Sequence, residues 1–437
     1  MKFYSLIAGA LLLGGAPMAH AALSPAERTI GATVDAGFEP TVALLEKLVN
    51  QNSGSMNLAG VKAVADMLRP EFEALGFAVT WKPMDAAKRA GHLIALHKGK
   101  AGTTRMLLIG HLDTVFEPDS PFQTFKRDGD WASGPGVADD KGGVATMILA
   151  LKAMQAAGTL KGANIEVVLT GDEEDSGDPV SIARADLVAA GTRADVALDF
   201  EGLSQEDGRD MGSIARRSSN SWTLTATGKS GHSSGIFSDK AGDGAVYELA
   251  RIITAFRKEL PEPNLTFNVG LIGGGQSADV DRDGVRITVT GKTNIIPPIA
   301  VAKGDFRTLS EEQTQRVQAK MQAIVDSGHL NGTSASIAFD LGYPSMAPTD
   351  GNRALLTKLN AINRDLGLPD MPALDPLKRG AGDIAFVAAD TDGLVGLGLA
   401  SSGDHSPAEK ADLSTMPRQA KRAAMLMSRL AVEKGRK

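Results

Sequence analysis

The sequence predicts an α/β fold with a central, mostly parallel sheet, interrupted by an inserted α+β domain. Short apolar runs alternate with helical stretches up to about residue 212 and again after residue 341, as they do in βαβ units. Between residues 213 and 340 the pattern changes to strands with Gly-rich turns and two long helices. The length of 437 residues also exceeds what one ordinary core supports, so two domains are expected.

In the first segment, apolar side chains recur at helical spacing across residues 41–75, and Pro70 is expected to break this helix. The short apolar runs that follow predict buried strands, with helices between them. The predicted strands are 92–97, 105–110, 165–171 and 195–200, and the predicted helices are 144–158 and 178–191.

The inserted segment is rich in strands, and the last segment returns to helices and strands in alternation. The predicted strand regions of the insertion are 221–228, 265–275, 284–298 and 301–309, with helices at 244–260 and 310–328. After it, helices are expected from Gly351, near Ile384 and from Met416, with a strand at 393–399. The expected organisation is a signal peptide at 1–21, a first part of the main domain at 22–212, the inserted domain at 213–340 and a second part of the main domain at 341–437.

The N-terminus has the pattern of a cleavable signal peptide. Lys2 supplies a positive charge, an apolar stretch follows at 6–15, and Ala19 and Ala21 flank a small-x-small cleavage site. A periplasmic or secreted protein is therefore expected, with cleavage near Ala21. No later run of about 18 apolar residues predicts a membrane span. The chain has no Cys, which excludes disulfides and thiolate metal ligands.

The charge distribution bears on the partners of the protein. A formal net charge of −6, with Lys and Arg scattered along the chain, leaves no basic stripe to neutralise phosphates. We therefore expect no nucleic-acid partner. Since no membrane span is predicted after the signal peptide, no membrane partner is expected either.

His111 and Asp113 close an apolar strand. In a strand, residues i and i+2 point the same way, so His111 can bind a metal while Asp113 reaches the same region and orients the imidazole. The alternative is a buried structural His with a carboxylate partner, and this tripeptide leaves both open.

Two acidic pairs follow. Asp139 and Asp140 precede a predicted helix, where one carboxylate can bridge two metals or the pair can simply cap the helix. Glu173 and Glu174 belong to four consecutive acids that repel one another unless cations compensate them, and a Glu beside a metal-bound water is the usual general base for amide hydrolysis. The alternative for this segment is a solvated acidic loop.

Glu201, after another strand, and His405, in a late loop, complete the series. Each is ambiguous alone, since a lone His is more often structural than a ligand. Their order, and their placement after strands, are those of a hydrolase whose metals lie at the carboxyl ends of its strands.

Taken together, these segments resemble the co-catalytic dizinc peptidase family that includes glutamate carboxypeptidase, aminoacylase, acetylornithine deacetylase and succinyl-diaminopimelate desuccinylase. The similarity runs from about residue 41 to the C-terminus and is greatest to the glutamate carboxypeptidase group, through "GPGVADDKGG", "DFEG" and "DHSPAEKADLS". The resemblance implies a zinc-peptidase catalytic domain interrupted by a dimerisation (lid) domain, a homodimer, and two zinc ions per subunit, for which cobalt or manganese can substitute.

The resemblance also implies a role for each residue of the series. His405 and Glu174 would hold one zinc, His111 and Glu201 the other, and Asp139 would bridge them; Asp140 is not counted as a ligand. Glu173 would be the general base and Asp113 the residue behind His111. His232 of the inserted domain would reach the partner subunit's active site and stabilise the oxyanion. Asn294 and Arg307 would hold a substrate carboxylate, with Gly382 in a Gly-rich turn beside that pocket.

One position departs from the family pattern. Where glutamate-specific members carry a second arginine, this chain has Tyr343, and a phenol does not replace a bidentate guanidinium. Lys378 and Arg379 are hypothesised to supply the missing charge.

The expected activity is removal of a C-terminal amino acid, with Glu or Asp favoured, from peptides or from N-acyl or folate-like conjugates, by a zinc-dependent exopeptidase. The alternative within the family is an N-acyl-amino-acid deacylase with the same chemistry. A different class would be a periplasmic binding protein for anionic peptides.

Overall fold

The structure is a computed structural model that describes residues 23–282 and 284–436. The predicted signal peptide lies outside the described residues and stays a prediction. In the part of the chain that is described, no helix is long and apolar enough to cross a membrane.

The described residues form these α-helices: α1 (Pro25–Asn50), α2 (Leu58–Ala74), α3 (Lys141–Ala156), α4 (Val180–Ala183), α5 (Ala185–Arg193), α6 (Ala245–Glu259), α7 (Glu311–Val325), α8 (Asp350–Asp365) and α9 (Met416–Leu430). The helix predicted across residues 41–75 is therefore wrong in its bounds, because two helices lie there. The break predicted at Pro70 is also wrong. Pro70 lies inside α2, between the buried side chains of Leu68 and Phe72, whose packing holds the helix together around it.

The strands of the described residues are β1 (Ala78–Met84), β2 (Arg89–His97), β3 (Arg105–His111), β4 (Lys126–Asp128), β5 (Trp131–Ser133), β6 (Asn164–Thr170), β7 (Val196–Asp199), β8 (Gln205–Glu206), β9 (Arg209–Asp210), β10 (Ser219–Gly228), β11 (Gly231–His232), β12 (Thr266–Phe267), β13 (Leu271–Gly275), β14 (Ser277–Val280), β15 (Ile287–Thr290), β16 (Ile295–Ile296), β17 (Ile299–Arg307), β18 (Thr333–Tyr343), β19 (Asp392–Val395), β20 (Ala400–Ser402) and β21 (Lys410–Asp412). The residues near Ile384, expected to be α-helical, form a short 3-10 helix at Asp383–Val387.

The central sheet has six strands in the order β1-β2-β6-β3-β7-β19. Only β2 is antiparallel to both of its neighbours, so the other five strands point the same way. Along β3, Met106 and Leu108 pack into the larger core beneath α1, α3 and α9, whereas Leu107 and Ile109 face α5 on the opposite side. Because both faces are buried, these strands are continuous apolar runs rather than alternating ones.

A second sheet is formed by residues 219–343. Its strands run in the order β12-β17-β10-β18, β13 also pairs with β17, and all of these pairings are antiparallel. The helices α6 and α7 cover one face, over a separate core that includes Trp222, Leu224 and Phe306. The bounds 213–340 of the inserted domain, and its role in dimerisation, stay predictions.

Candidate active site

The site begins where three neighbouring parallel strands end. β3 ends at His111, β6 ends three residues before Glu173, and β7 ends two residues before Glu201. Since β6, β3 and β7 are adjacent and parallel, their carboxyl ends meet at one edge of the sheet. The strand-end placement predicted from the sequence is therefore present in the fold.

Asp139 lies between two imidazoles. Its Oδ1 is 2.9 Å from His111 Nε2, and its Oδ2 is 3.0 Å from His405 Nε2. Burial raises the pKa of Asp139, but hydrogen bonds with His111 and His405 outweigh burial and hold it far below its usual range. One carboxylate that faces two imidazoles with separate oxygens has the geometry of a bridging ligand.

Glu174 completes this group. Its Oε2 is 3.2 Å from His405 Nε2, and hydrogen bonds with Asp139 and Glu174 raise the pKa of His405 to about 11. Ligand atoms of His111, Asp139 and Glu174 lie within 4.8 Å of one another, which is close enough to share a metal ion. Glu174 Oε1 is buried and has no hydrogen-bond partner among the described residues, so its lone pairs are available to a cation. Imidazole and carboxylate donors fit a zinc ion.

Asp113 lies behind this group and is fully buried. Its Oδ1 is 3.4 Å from His111 Nδ1 and accepts the backbone N–H of Glu173 at 3.0 Å. Its Oδ2 accepts the backbone N–H of Glu174 at 3.1 Å and the hydroxyl of Ser55 at 2.6 Å. One carboxylate therefore holds the backbone of both glutamates, and it lies beside an imidazole whose Nδ1 is also 3.2 Å from the carbonyl oxygen of Asp113.

Asp113→Asn is expected to weaken metal binding by about 10–100-fold, as removal of a partner behind a metal ligand typically does. The amide can accept on one side only, and its NH2 group would oppose an N–H donor on the other. Isothermal titration of the metal-stripped protein with zinc measures the effect, and Ser55→Ala, which removes only one of the four contacts, is the control. Wild-type zinc affinity in Asp113→Asn would contradict the assignment.

Glu173 faces the same cavity, which has a volume of about 610 Å³. Burial and the nearby Glu201 carboxylate raise the pKa of Glu173 well above its usual range. A carboxylate with a raised pKa is a better proton acceptor near neutral pH than an ordinary one. The acidic and imidazole groups that line the cavity are Asp139, Glu173, Glu174, Glu201, Asp404 and His405, and the basic groups are Arg216, Arg307, Lys378 and Arg379.

Glu201 has two arginine partners. Its Oε2 is 2.5 Å from Arg216 Nη1 and 3.3 Å from Arg379 Nη2, and its backbone N–H donates to Asp199 at 3.0 Å. Among the described residues, no ion pair joins it to His111. Glu201 thus lines the cavity with the other acids, and its pairing with His111 at a cation stays a prediction.

Of the residues predicted to bind substrate, only some lie at the cavity. Arg307 lines the cavity. Gly382 is not among the lining residues, and a Cβ there would lie 2.0 Å from Arg216 Nη1, so a larger residue would displace that guanidinium. His232 and Asn294 lie side by side, with His232 Nε2 and Asn294 Nδ2 3.5 Å apart, and neither lines the cavity of its own chain.

Tyr343 supports the loop that carries the glutamates. Its hydroxyl donates to the carbonyl oxygen of Glu173 at 2.9 Å and accepts from Arg184 Nη2 at 2.5 Å. Arg184 is buried and paired with Asp172 at 2.6 Å and Asp383 at 2.7 Å. The phenol therefore fixes the main chain of Glu173, and sequence reasoning gave Arg184 no role because it lies within a stretch that reads as an ordinary helix.

Glu409 was also missed. Its carboxylate is buried and accepts the backbone N–H groups of Gly136, Ala138 and Asp139 at 3.3, 3.0 and 3.3 Å. It therefore fixes the loop that presents Asp139. Asp140 occupies the N-cap position of α3, but its side chain makes no capping hydrogen bond, so the helix-cap alternative fails for this residue.

Comparison with known proteins identifies the family. The profile of peptidase family M20/M25/M40 matches residues 107–429. The chain belongs to this family. It is 27% identical over 398 residues to carboxypeptidase G2 of Pseudomonas sp. (strain RS-16), with 90% of each chain covered. It is 27% identical over 320 residues to succinyl-diaminopimelate desuccinylase of Leptothrix cholodnii, with 69% of this chain and 77% of that enzyme covered.

The fold is also that of solved members of the family. The YXEP protein of Bacillus subtilis, a dinuclear metal-binding peptidase from the M20 family, superposes with a TM-score of 0.64 at 15% identity, with 91% of this chain and 99% of that chain covered. The predicted resemblance and α/β fold class are confirmed, and the protein is a hydrolytic enzyme. The binding-protein alternative is thereby set aside.

Proposed function

We propose that this enzyme uses two metal ions to remove a C-terminal amino acid, with acidic residues favoured, from peptides or from N-acyl or folate-like conjugates. The observation that carries the proposal is Asp139, whose two oxygens face His111 and His405 at 2.9 and 3.0 Å, in a site that also contains Glu173. His405 and Glu174 would hold one zinc, His111 and Glu201 the other, and Asp139 would bridge them; cobalt or manganese can substitute. When bound, the two ions would polarise the scissile carbonyl and acidify the attacking water.

The protein's own groups supply the proton transfers. Glu173 takes a proton from the attacking water and returns it to the leaving amine. Its backbone is held by Asp113 through the N–H and by Tyr343 through the carbonyl oxygen, so the carboxylate is presented in one orientation.

His232 is proposed to act on the partner subunit's substrate. Ser234 holds His232 Nδ1 through its backbone N–H at 3.2 Å and its hydroxyl at 2.8 Å, so Nε2 is the ring nitrogen that would donate to an oxyanion. Because His232 and Asn294 do not line the cavity of their own chain, a homodimer is the simplest arrangement in which they serve a site.

Two features support an acidic or carboxylate-terminated substrate. Carboxypeptidase G2 is similar over most of both chains. The cavity lining also includes the basic side chains of Arg307, Lys378 and Arg379, which can attract a carboxylate. Because the chain is also similar to a desuccinylase, an N-acyl-amino-acid deacylase is the second candidate function. A periplasmic or secreted location, from the predicted signal peptide, is part of the proposal.

The test is amine release by the zinc-loaded enzyme from matched N-acyl dipeptides that end in Glu, Asp or a neutral residue, beside N-acyl amino acids. Release that is fastest from Glu and Asp substrates, and slower when Lys378 and Arg379 are both replaced by Ala, is expected. Release only from N-acyl amino acids would favour the deacylase. Release only from substrates with neutral C-termini would remove the acidic preference.

A further inference from the structure

Arg216 is a buried cation with an unusual set of partners. Its side chain is 6% exposed, and its Nη1 is 2.5 Å from Glu201 Oε2 and 3.6 Å from Asp199 Oδ2. Its Nε donates to the carbonyl oxygen of Gly380 at 2.8 Å, and its Nη2 donates to that of Ala381. One guanidinium therefore joins a carboxylate of the candidate metal site to the main chain of a turn that lines the cavity.

The surrounding chain is shaped to hold this guanidinium. A Cβ at position 382 would lie 2.0 Å from Arg216 Nη1, so a larger residue there would have to displace the guanidinium. The backbone of Arg216 is paired with that of Met346, where the chain passes into the second sheet and returns from it. Arg216 is thus fixed from three directions, by the turn, by the strand crossing and by Glu201.

We propose that Arg216 is a positioning residue that holds the Glu201 carboxylate in the orientation that the second cation requires, and that also holds the 380–382 turn. The inference rests on the proposed two-metal function. Planar guanidinium is suited to this, because it has five N–H donors in a fixed fork, whereas the ammonium of Lys is a point charge. Without the guanidinium fork, the Glu201 carboxylate and the 380–382 turn are no longer held by one side chain. The contacts among His405, Glu174 and Asp139 do not involve Arg216 and remain.

The test is zinc titration of the metal-stripped full-length enzyme by calorimetry, together with kcat and KM. Arg216→Lys keeps the charge but not the fork, and Arg216→Gln removes the charge. Both are expected to weaken one of the two zinc sites by about 10–100-fold, to leave the other unchanged and to raise KM. Arg217→Lys is the matched control, because the neighbouring Arg217 donates to Thr266 and Leu377 and makes no ion pair with Glu201 among the described residues.

The outcomes separate the inference from the proposed function. Wild-type enzyme that binds fewer than two zinc ions would overturn the two-metal proposal itself. A second result would overturn the role of Arg216 alone. In that result wild type and Arg217→Lys bind two zinc ions, and Arg216→Lys has the same two zinc affinities and the same KM as wild type. Tighter zinc binding in Arg216→Gln would also overturn it, because Arg216 would then compete with the cation rather than position its ligand. Thermal unfolding of each variant distinguishes a local change from loss of the fold.

Discussion

Glu173→Gln is expected to lower kcat by about 10²–10⁴-fold, the range that a positioned general acid–base group contributes. The amide keeps the size of the side chain but cannot accept the proton of the attacking water. The backbone contacts of Glu173 to Asp113 and Tyr343 do not involve the side chain, so the loop keeps its place. Bound zinc, measured by mass spectrometry, should stay at the wild-type level.

Glu174→Gln is the informative contrast for this prediction. Glu174 contacts His405 at 3.2 Å and lies in the group that can share a metal, so its replacement should reduce bound zinc as well as activity. Zinc content then distinguishes the two neighbouring glutamates, because only the Glu174 variant is expected to lose zinc as well as activity. If Glu173→Gln retained activity within about tenfold, or lost zinc as Glu174→Gln does, Glu173 would not be the base.

The strand-end residues of the site could be predicted because their signal is local. An apolar run of strand length that ends in His111, or in the acidic segment at Glu173, marks both the strand and the edge at which it ends. The strand–helix alternation predicts a parallel sheet, whereas the order β6-β3-β7 is seen only in the structure. His405 joined the series through its order and its place after a strand, and only the family resemblance gave it a partner, since a loop histidine has no periodicity of its own.

The residues that hold the site in place could not be predicted, because their partners are far away in sequence. Glu409 accepts the N–H of Asp139 across 270 residues, and Arg216 reaches Gly380 across 164. Their roles depend on buried charges meeting particular main-chain groups, which no local pattern encodes. The same reason explains the error at Pro70, where tertiary packing of α2 outweighs the local preference of proline.

Asp139→Asn is expected to abolish hydrolysis and to reduce bound zinc from two ions per subunit to one or none. Asp139 is the residue whose two oxygens face both His111 and His405, and an amide offers only one oxygen. In the variant, an NH2 group would replace one of the two carboxylate oxygens, so one of the two metal ions would lose its ligand from residue 139. The loss of activity should be at least as large as in Glu173→Gln, because Asp139, as the proposed bridge, would hold both metals and with them the attacking water.

Asp140→Asn is the matched control, since it makes the same chemical change one residue further along. Asp140 Oδ2 accepts the backbone N–H of His111 at 3.4 Å, and an amide oxygen can accept the same bond. This variant should keep two zinc ions and most of its activity. Its thermal stability should fall somewhat, because the NH2 group of the amide would be buried near Gly143. Equal loss of zinc in the two variants would make Asp140 a ligand as well. Zinc loss in Asp140→Asn alone would move the bridge from Asp139 to Asp140, and the ligand set of both sites would have to be reassigned.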